Sequence, residues 1–280
     1  KTEPRPGDRG EEIKGRKRLL KQYVVDAFAD RPFEGNPAAV CLPDRWPADK
    51  LMGKIAMENN LSETAFAVFE EDSWRLRWFT PEGEIDLCGH ATLAAAYTIL
   101  RFVAPELEDV RFQTLSGPLT VKRRGELLEM DFPAYVPVQT EVTAEMTAAL
   151  GVRPLEAWRA RDLMCVLERE EDVVRLQPNL AAMENLEGSV CCVTARGSRF
   201  DCVSRCFAPK CAVPEDPVTG STHCLIIPYW AAKTGKTEFV ARQASPRGGT
   251  LYCRLEGDRV KLAGRATLYA RSELMLEELP

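Results

Sequence analysis

The sequence predicts an α+β protein built from two related halves, and two observations carry that prediction. Asp86-Leu-Cys-Gly-His-Ala-Thr92 runs into the apolar segment Leu93 to Phe102, and Glu215-Asp-Pro-Val-Thr-Gly-Ser221 runs into Cys224 to Ala232. Each puts an acidic residue and a tight glycine turn directly before a mostly apolar helix. Asp86 and Asp216 stand 130 positions apart, so the copies fall in halves of similar size. The second observation is the setting: many short strand-like runs in each half and one long apolar helix, which suits a sheet curled around a central helix. Ala91 to Phe102 is apolar nearly all round, as a helix buried inside such a sheet has to be.

The elements follow in order. Gln22 to Phe28 alternates like a strand, Arg31 to Pro37 turns, and Ala38 to Leu42 returns. Pro47-Ala-Asp49 opens a helix that ends at Asn59-Asn60. Leu61 to Glu70 and Trp74 to Phe79 read as strands around turns, the second closed by Thr80 to Gly83. After the first device and its helix come strands at Val110 to Thr114, Leu119 to Arg123 and Leu127 to Phe132, with Pro133 to Pro137 as a linker. The second half has strands at Asp162 to Leu167 and Ser189 to Thr194, then the second device and its helix. Four more strands follow, at Glu238 to Arg242, Leu251 to Leu255, Arg259 to Ala263 and Ala266 to Ala270. Lys1 to Arg18 is charged and reads as an extension outside the fold.

Composition narrows the function. At 280 residues with 45% hydrophobic and 28% charged residues, the balance is that of a soluble globular chain. A net charge of −5 argues against a general nucleic-acid surface. No apolar run reaches the roughly eighteen residues that span a bilayer, and Lys1 to Arg18 has no apolar core of a signal peptide. The ten cysteines do not sit at the paired spacing of structural zinc sites. Cys202, Cys206 and Cys211 form the one cluster of interest, and its period matches no finger or ribbon. Buried free thiols in a reducing cytoplasm fit better. The glycine-rich stretches lack the spacing of a P-loop or dinucleotide fingerprint, so no cofactor is implied.

The two devices carry the chemistry. The first amides of each helix point outward unsatisfied with the positive end of the helix dipole behind them, which suits a carboxylate or another small anion. Two such ends imply a cleft between the halves, with Gly89 and Gly220 facing across it. Both of the chain's histidines, His90 and His223, lie in the first turn or two of these helices. Glu63 enters a strand between Leu61 and Ala65, where a half-buried carboxylate of raised pKa would serve as a general acid or base. The same pattern also fits a surface carboxylate on a strand edge. His90 reads equally as a helix-start residue or as a group titrating near neutral pH, and Asp216 equally as a cap.

Gly35-Asn-Pro-Ala-Ala-Val40, Asn60 to Phe66, Trp78-Phe-Thr-Pro81, Leu87 to Leu93, Phe207-Ala-Pro209, Glu215 to Ser221 and Arg247-Gly-Gly249 together resemble the PhzF-like family of phenazine-biosynthesis-related isomerases. The resemblance runs from Gln22 to the C-terminus, and in tone it is nearest to the animal phenazine-biosynthesis-like-domain proteins. It implies the diaminopimelate-epimerase-like fold, two pseudo-symmetric domains at about 19–133 and 134–267. The last strand, within 268–280, would complete the first domain, and the chain would form a homodimer. It also implies that Glu63 is the proton-shuttling residue, that His90 and Asp216 contact the substrate, and that the amides of Gly89, His90, Gly220 and Ser221 hold its carboxylate. His223 has no such counterpart and reads as packed. In the related racemases two cysteines face each other. Here Cys88 fills the first position but Thr219 the second, and a hydroxyl is too weak an acid to replace a thiol.

The expected function is therefore a cofactor-independent isomerase of the cytoplasm that moves a proton within a small carboxylate-bearing substrate. The alternatives are a racemase or epimerase of a small amino or hydroxy acid, or a non-catalytic protein-interaction module on the same fold.

Overall fold

The computed structural model describes residues 18–276, with eighteen strands and six α-helices among them. Residues 1–17 of the expected extension lie outside the described residues, whereas Arg18 already belongs to the first strand. That strand, β1 (Arg18–Ala27), pairs antiparallel with β2 (Asn36–Cys41), and α1 (Asp49–Asn59) crosses over to β3 (Glu63–Glu70), parallel to β2. β3 turns back into β4 (Ser73–Thr80) and β4 into the short β5 (Gly83–Ile85). Helix α2 (Gly89–Phe102) then crosses to β6 (Asp109–Thr114), parallel to β4, and β7 (Gly117–Arg124) and β8 (Leu127–Pro133) finish as a meander.

The second half repeats this pairing. It opens with β9 (Val138–Thr140) and α3 (Ala144–Leu150), after which β10 (Glu156–Arg159) and β11 (Leu163–Val166) form an antiparallel pair. Two short helices, α4 (Glu170–Val174) and α5 (Leu180–Met183), lead to β12 (Cys191–Arg196), parallel to β11. β13 (Cys202–Ala208) runs antiparallel to β12 and pairs with β14 (Val213–Asp216). Helix α6 (Gly220–Thr234) crosses to β15 (Glu238–Gln243), parallel to β13, and β16 (Gly249–Glu256) and β17 (Arg259–Gly264) complete the meander.

The halves exchange their ends. After β8 the chain passes to β9, which pairs with β10. After β17 it passes to β18 (Ala266–Leu276), which runs antiparallel to β1 along its whole length. β8 and β17 pair with each other antiparallel, Met130 opposite Leu262. The repeat is thus related by an approximate two-fold passing through the β8–β17 seam.

Helix α2 is held by strands of its own half and by β18, with Leu93, Ile99 and Leu100 buried. Each such side chain contributes about 2 kcal/mol on leaving water. The core does not stop at the seam. Tyr23, Trp78 and Phe112 of the first half share one apolar cluster with Ile226, Trp230 and Leu262 of the second. Helix α6 begins at Gly220, before the apolar run that starts at Cys224, and continues through Pro228. A proline inside a helix leaves the carbonyl four residues back without its usual donor. Here that carbonyl, Cys224 O, accepts the amide of Tyr135 at 2.8 Å, tying the linker after β8 to α6.

Candidate active site

Glu63 is the first residue of β3 and lies in register with Ala38 of the parallel neighbour β2. His90 is the second residue of α2, so the crossover that brings α2 back over the sheet sets the two side by side. His90 Nε2 lies 2.9 Å from Glu63 Oε2, with the side chains only 7% and 14% exposed. The other ring nitrogen, Nδ1, lies 3.5 Å from Cys88 Sγ. Burial by itself would lower the pKa of His90. The Cys88 and Glu63 side chains set against the ring outweigh it and hold the imidazole well above its usual range. The Cys88 thiol is pushed up, first by burial and then by the Glu63 carboxylate, which favours the neutral S–H.

The second half supplies Asp216, the last residue of β14. Its Oδ1 accepts Asn36 Nδ2 at 2.7 Å and its Oδ2 accepts the Thr219 hydroxyl at 2.5 Å. Burial raises its pKa, the His90 charge opposes that, and Glu63 adds to it, so all three groups act on one another. Gln243, fully buried at the end of β15, steadies the turn: Nε2 donates to Asp216 O at 2.7 Å and Oε1 accepts Thr219 N at 2.8 Å. Asn36 is fully buried too and donates also to Val218 O at 3.0 Å.

The β1–β2 turn that presents Asn36 is clamped from the other half. Arg247 donates to Gly35 O, Glu34 O and Asp26 Oδ1 at 2.9, 3.0 and 2.7 Å. Gly35 has φ +66°, and a Cβ there would lie 2.1 Å from Ala27 O, so no other residue fits.

Both helices start without a side-chain cap, from the extended residues Cys88 and Thr219. Gly89 is half-buried, Gly220 buried and Ser221 half-buried, and α2 and α6 contact each other. The acids of the two devices differ, however. Asp86 is exposed, whereas Asp216 lies in the site and Glu215 holds the buried Arg205 at 2.7 Å. His223 is fully buried, hydrogen bonded through Nδ1 to Thr219 O at 2.8 Å, and its pKa is pushed down to about 4 by burial. Asn36, Thr219 and Gln243 are the residues that sequence reasoning left without a role here. The Gly-Asn-Pro turn was the one visible signal, since Asn36 meets Asp216 only through the fold.

Asn36 Oδ1 is buried without a hydrogen-bond partner, and Glu63 Oε2 and His90 Nε2, though 2.9 Å apart, are not aligned for a hydrogen bond with each other and have no other partner. Native interiors leave few such atoms. Glu63, Cys88 and His90 also bring potential metal-ligating atoms within 4.8 Å of one another. The imidazole turns Nδ1 to Cys88 and Nε2 to Glu63, an arrangement that suits a proton. Cys202 and Cys206 are buried while Cys211 is exposed, so that cluster does not converge. The cavity of about 410 Å³ beside Trp46 and Leu115 lies outside this neighbourhood, and its Arg77 is already paired with Glu84 and Asp49.

Residues 25–272 match the PhzC–PhzF family, described as phenazine biosynthesis-like protein, and the chain belongs to that family. An uncharacterized isomerase of Pseudomonas aeruginosa is 50% identical over 92% of this chain and 99% of its own. The mouse phenazine biosynthesis-like domain-containing protein 2 is 37% identical over 91% and 99%, so this bacterial relative stands nearer than the animal proteins of similar tone. The crystal structure of a PhzF family protein from Enterococcus faecalis superposes with a TM-score of 0.91 at 46% identity, covering 92% of this chain and all of that one. Solved structures of a hydroxyproline epimerase from Agrobacterium vitis and of a protein described as probable proline racemase from Agrobacterium radiobacter, both at 10% identity and a TM-score of 0.62, share the fold alone. The fold is thus the α+β epimerase-like one.

Proposed function

We propose that this protein is a cofactor-independent isomerase that moves a proton within a small carboxylate-bearing substrate. The observation that carries the reading is the Glu63–His90 contact of 2.9 Å, buried beside Asp216, with both contacting atoms free of other partners. Glu63 takes a proton from a carbon next to an electron-withdrawing group and returns it at another carbon. His90, positively charged and with a proton on Nε2, donates to the charge that develops, a preorganised contribution of the kind that dominates many enzymes. Asp216 orients a polar substituent. The amides of Gly89, Gly220 and Ser221 receive the carboxylate under two helix dipoles. The protein is further proposed to act as a cytoplasmic homodimer, with domains at about 19–133 plus 268–280 and 134–267. No helix among the described residues is long and apolar enough to cross a membrane.

Two-thiol racemisation finds less support, because Thr219 faces Asp216 and Gln243 through its hydroxyl and carries no thiol. Glu63→Gln tests the proposal. It keeps the shape but cannot accept the proton, and turnover falls by on the order of a hundredfold or more. Turnover unchanged in that variant would falsify the shuttle.

A further inference from the structure

Among the described residues the hydrogen bonding of the His90 ring is confined to Nδ1 and the Cys88 sulfur. Burial keeps Cys88 a neutral thiol, and its S–H is placed to donate to Nδ1. A neutral ring that accepts S–H at Nδ1 must carry its own proton on Nε2, and a charged ring donating Nδ1–H to sulfur also carries one there. In both states the proton-bearing Nε2 lies 2.9 Å from Glu63 Oε2, and the charge of the protonated ring is felt at Asp216. We propose that Cys88 is a positioning residue of the proton-transfer site, holding His90 so that its proton-bearing Nε2 is presented to Glu63 and the substrate. The role rests on the isomerase reading for its use, but not for its geometry.

The thiol does not take the proton itself in this arrangement. It is 6% exposed, and its counterpart in the second half is the hydroxyl of Thr219. Buried thiols in carboxylate surroundings are poor acids. The groups that face His90 are Cys88 from the start of its own helix, Glu63 from β3 and Asp216 from β14.

Imidazole ¹⁵N spectra of the whole protein test this directly, because the chain has two histidines and His223 reports an intact fold. Above the titration midpoint of His90, the wild-type ring shows the single Nε2–H tautomer. In Cys88→Ala both tautomers appear while the His223 signal stays in place, and Cys88→Ser, whose hydroxyl can donate to Nδ1, restores the single form. In turnover, Cys88→Ala loses no more than a few-fold in kcat, with KM unchanged and a displaced pH profile, and Cys88→Ser recovers the wild-type profile. An unchanged tautomer in Cys88→Ala overturns the assignment, and so does Cys88→Ser as inactive as Glu63→Gln, which would make the thiol itself the acid. If the tautomer responds as stated but Glu63→Gln keeps full turnover, the positioning role of Cys88 stands and the glutamate shuttle falls.

Discussion

His90 and His223 occupy neighbouring positions in two related helices, yet their surroundings send them in opposite directions. His223 is fully buried with Nδ1 against the Thr219 carbonyl, and burial holds it neutral down to about 4. In the unfolded chain the same imidazole titrates near 6.5, so between these two pH values the unfolded chain binds more protons. Stability is then lost as pH falls, by roughly 3 kcal/mol for a shift of that size. Denaturant titrations at stepped pH should show this loss in wild type and a flatter response in His223→Asn, whose amide can still donate to Thr219 O. His90 works the other way, being raised: its contribution is complete below 6.5 and is lost as pH rises through its own higher value. The depressed and raised titrations should be resolvable in one histidine spectrum. A His223 midpoint near 6.5 would contradict its placement. The three candidate acid–base residues were legible in the sequence only through the family resemblance. Pattern alone left Glu63, His90 and Asp216 each with an ordinary structural reading.

At the scale of elements, the connections decide the site. The clamp of Arg247 on the β1–β2 turn places Asn36 against Asp216, 180 positions away in the chain. Gly35→Ala forces a side chain against Ala27 O at positive φ, and thermal melts should register a loss of more than about 1 kcal/mol. Arg247→Lys cannot reproduce the fork of contacts and should weaken substrate binding more than it slows the chemistry, an effect read in KM against kcat. Much of this layer was readable: α1, α2 and the strands of both meanders announce themselves by periodicity and turn residues. β13 did not, because it is buried throughout and carries Arg205, whose charge is met by Glu215 and the carbonyls of Val173, Val174 and Leu176. A strand with a buried arginine reads as loop. α3 was missed although Thr143 caps it through Met146 N, because the helix has only seven residues. β5, β9, β10 and β14 have three or four residues each, too few for alternation to show.

For the whole molecule, the repeated pairing and the exchanged end strands mean that neither half is closed on its own. β18 covers the edge of β1, and a single apolar cluster runs through the β8–β17 seam. Unfolding is therefore expected as one cooperative transition, with calorimetric and van't Hoff enthalpies in agreement. Two separated transitions would show that the halves fold independently. Removing residues 266–276 leaves β1 with an unpaired edge and should yield an aggregating or unfolded chain, as light scattering would detect. The sequence repeat pointed to this symmetry, but the swap of β9 and β18 is a property of tertiary pairing that no local pattern records.

The central claim is that both halves serve one proton transfer carried by Glu63. It is tested most directly by incubating the protein with a panel of small carboxylates in deuterated water and following deuterium in the recovered compounds by mass spectrometry. Wild type and Cys88→Ala should introduce a deuteron into the same compound, and Glu63→Gln should not. Exchange that survives in Glu63→Gln and disappears in Cys88→Ala would contradict the account and assign the chemistry to the thiol.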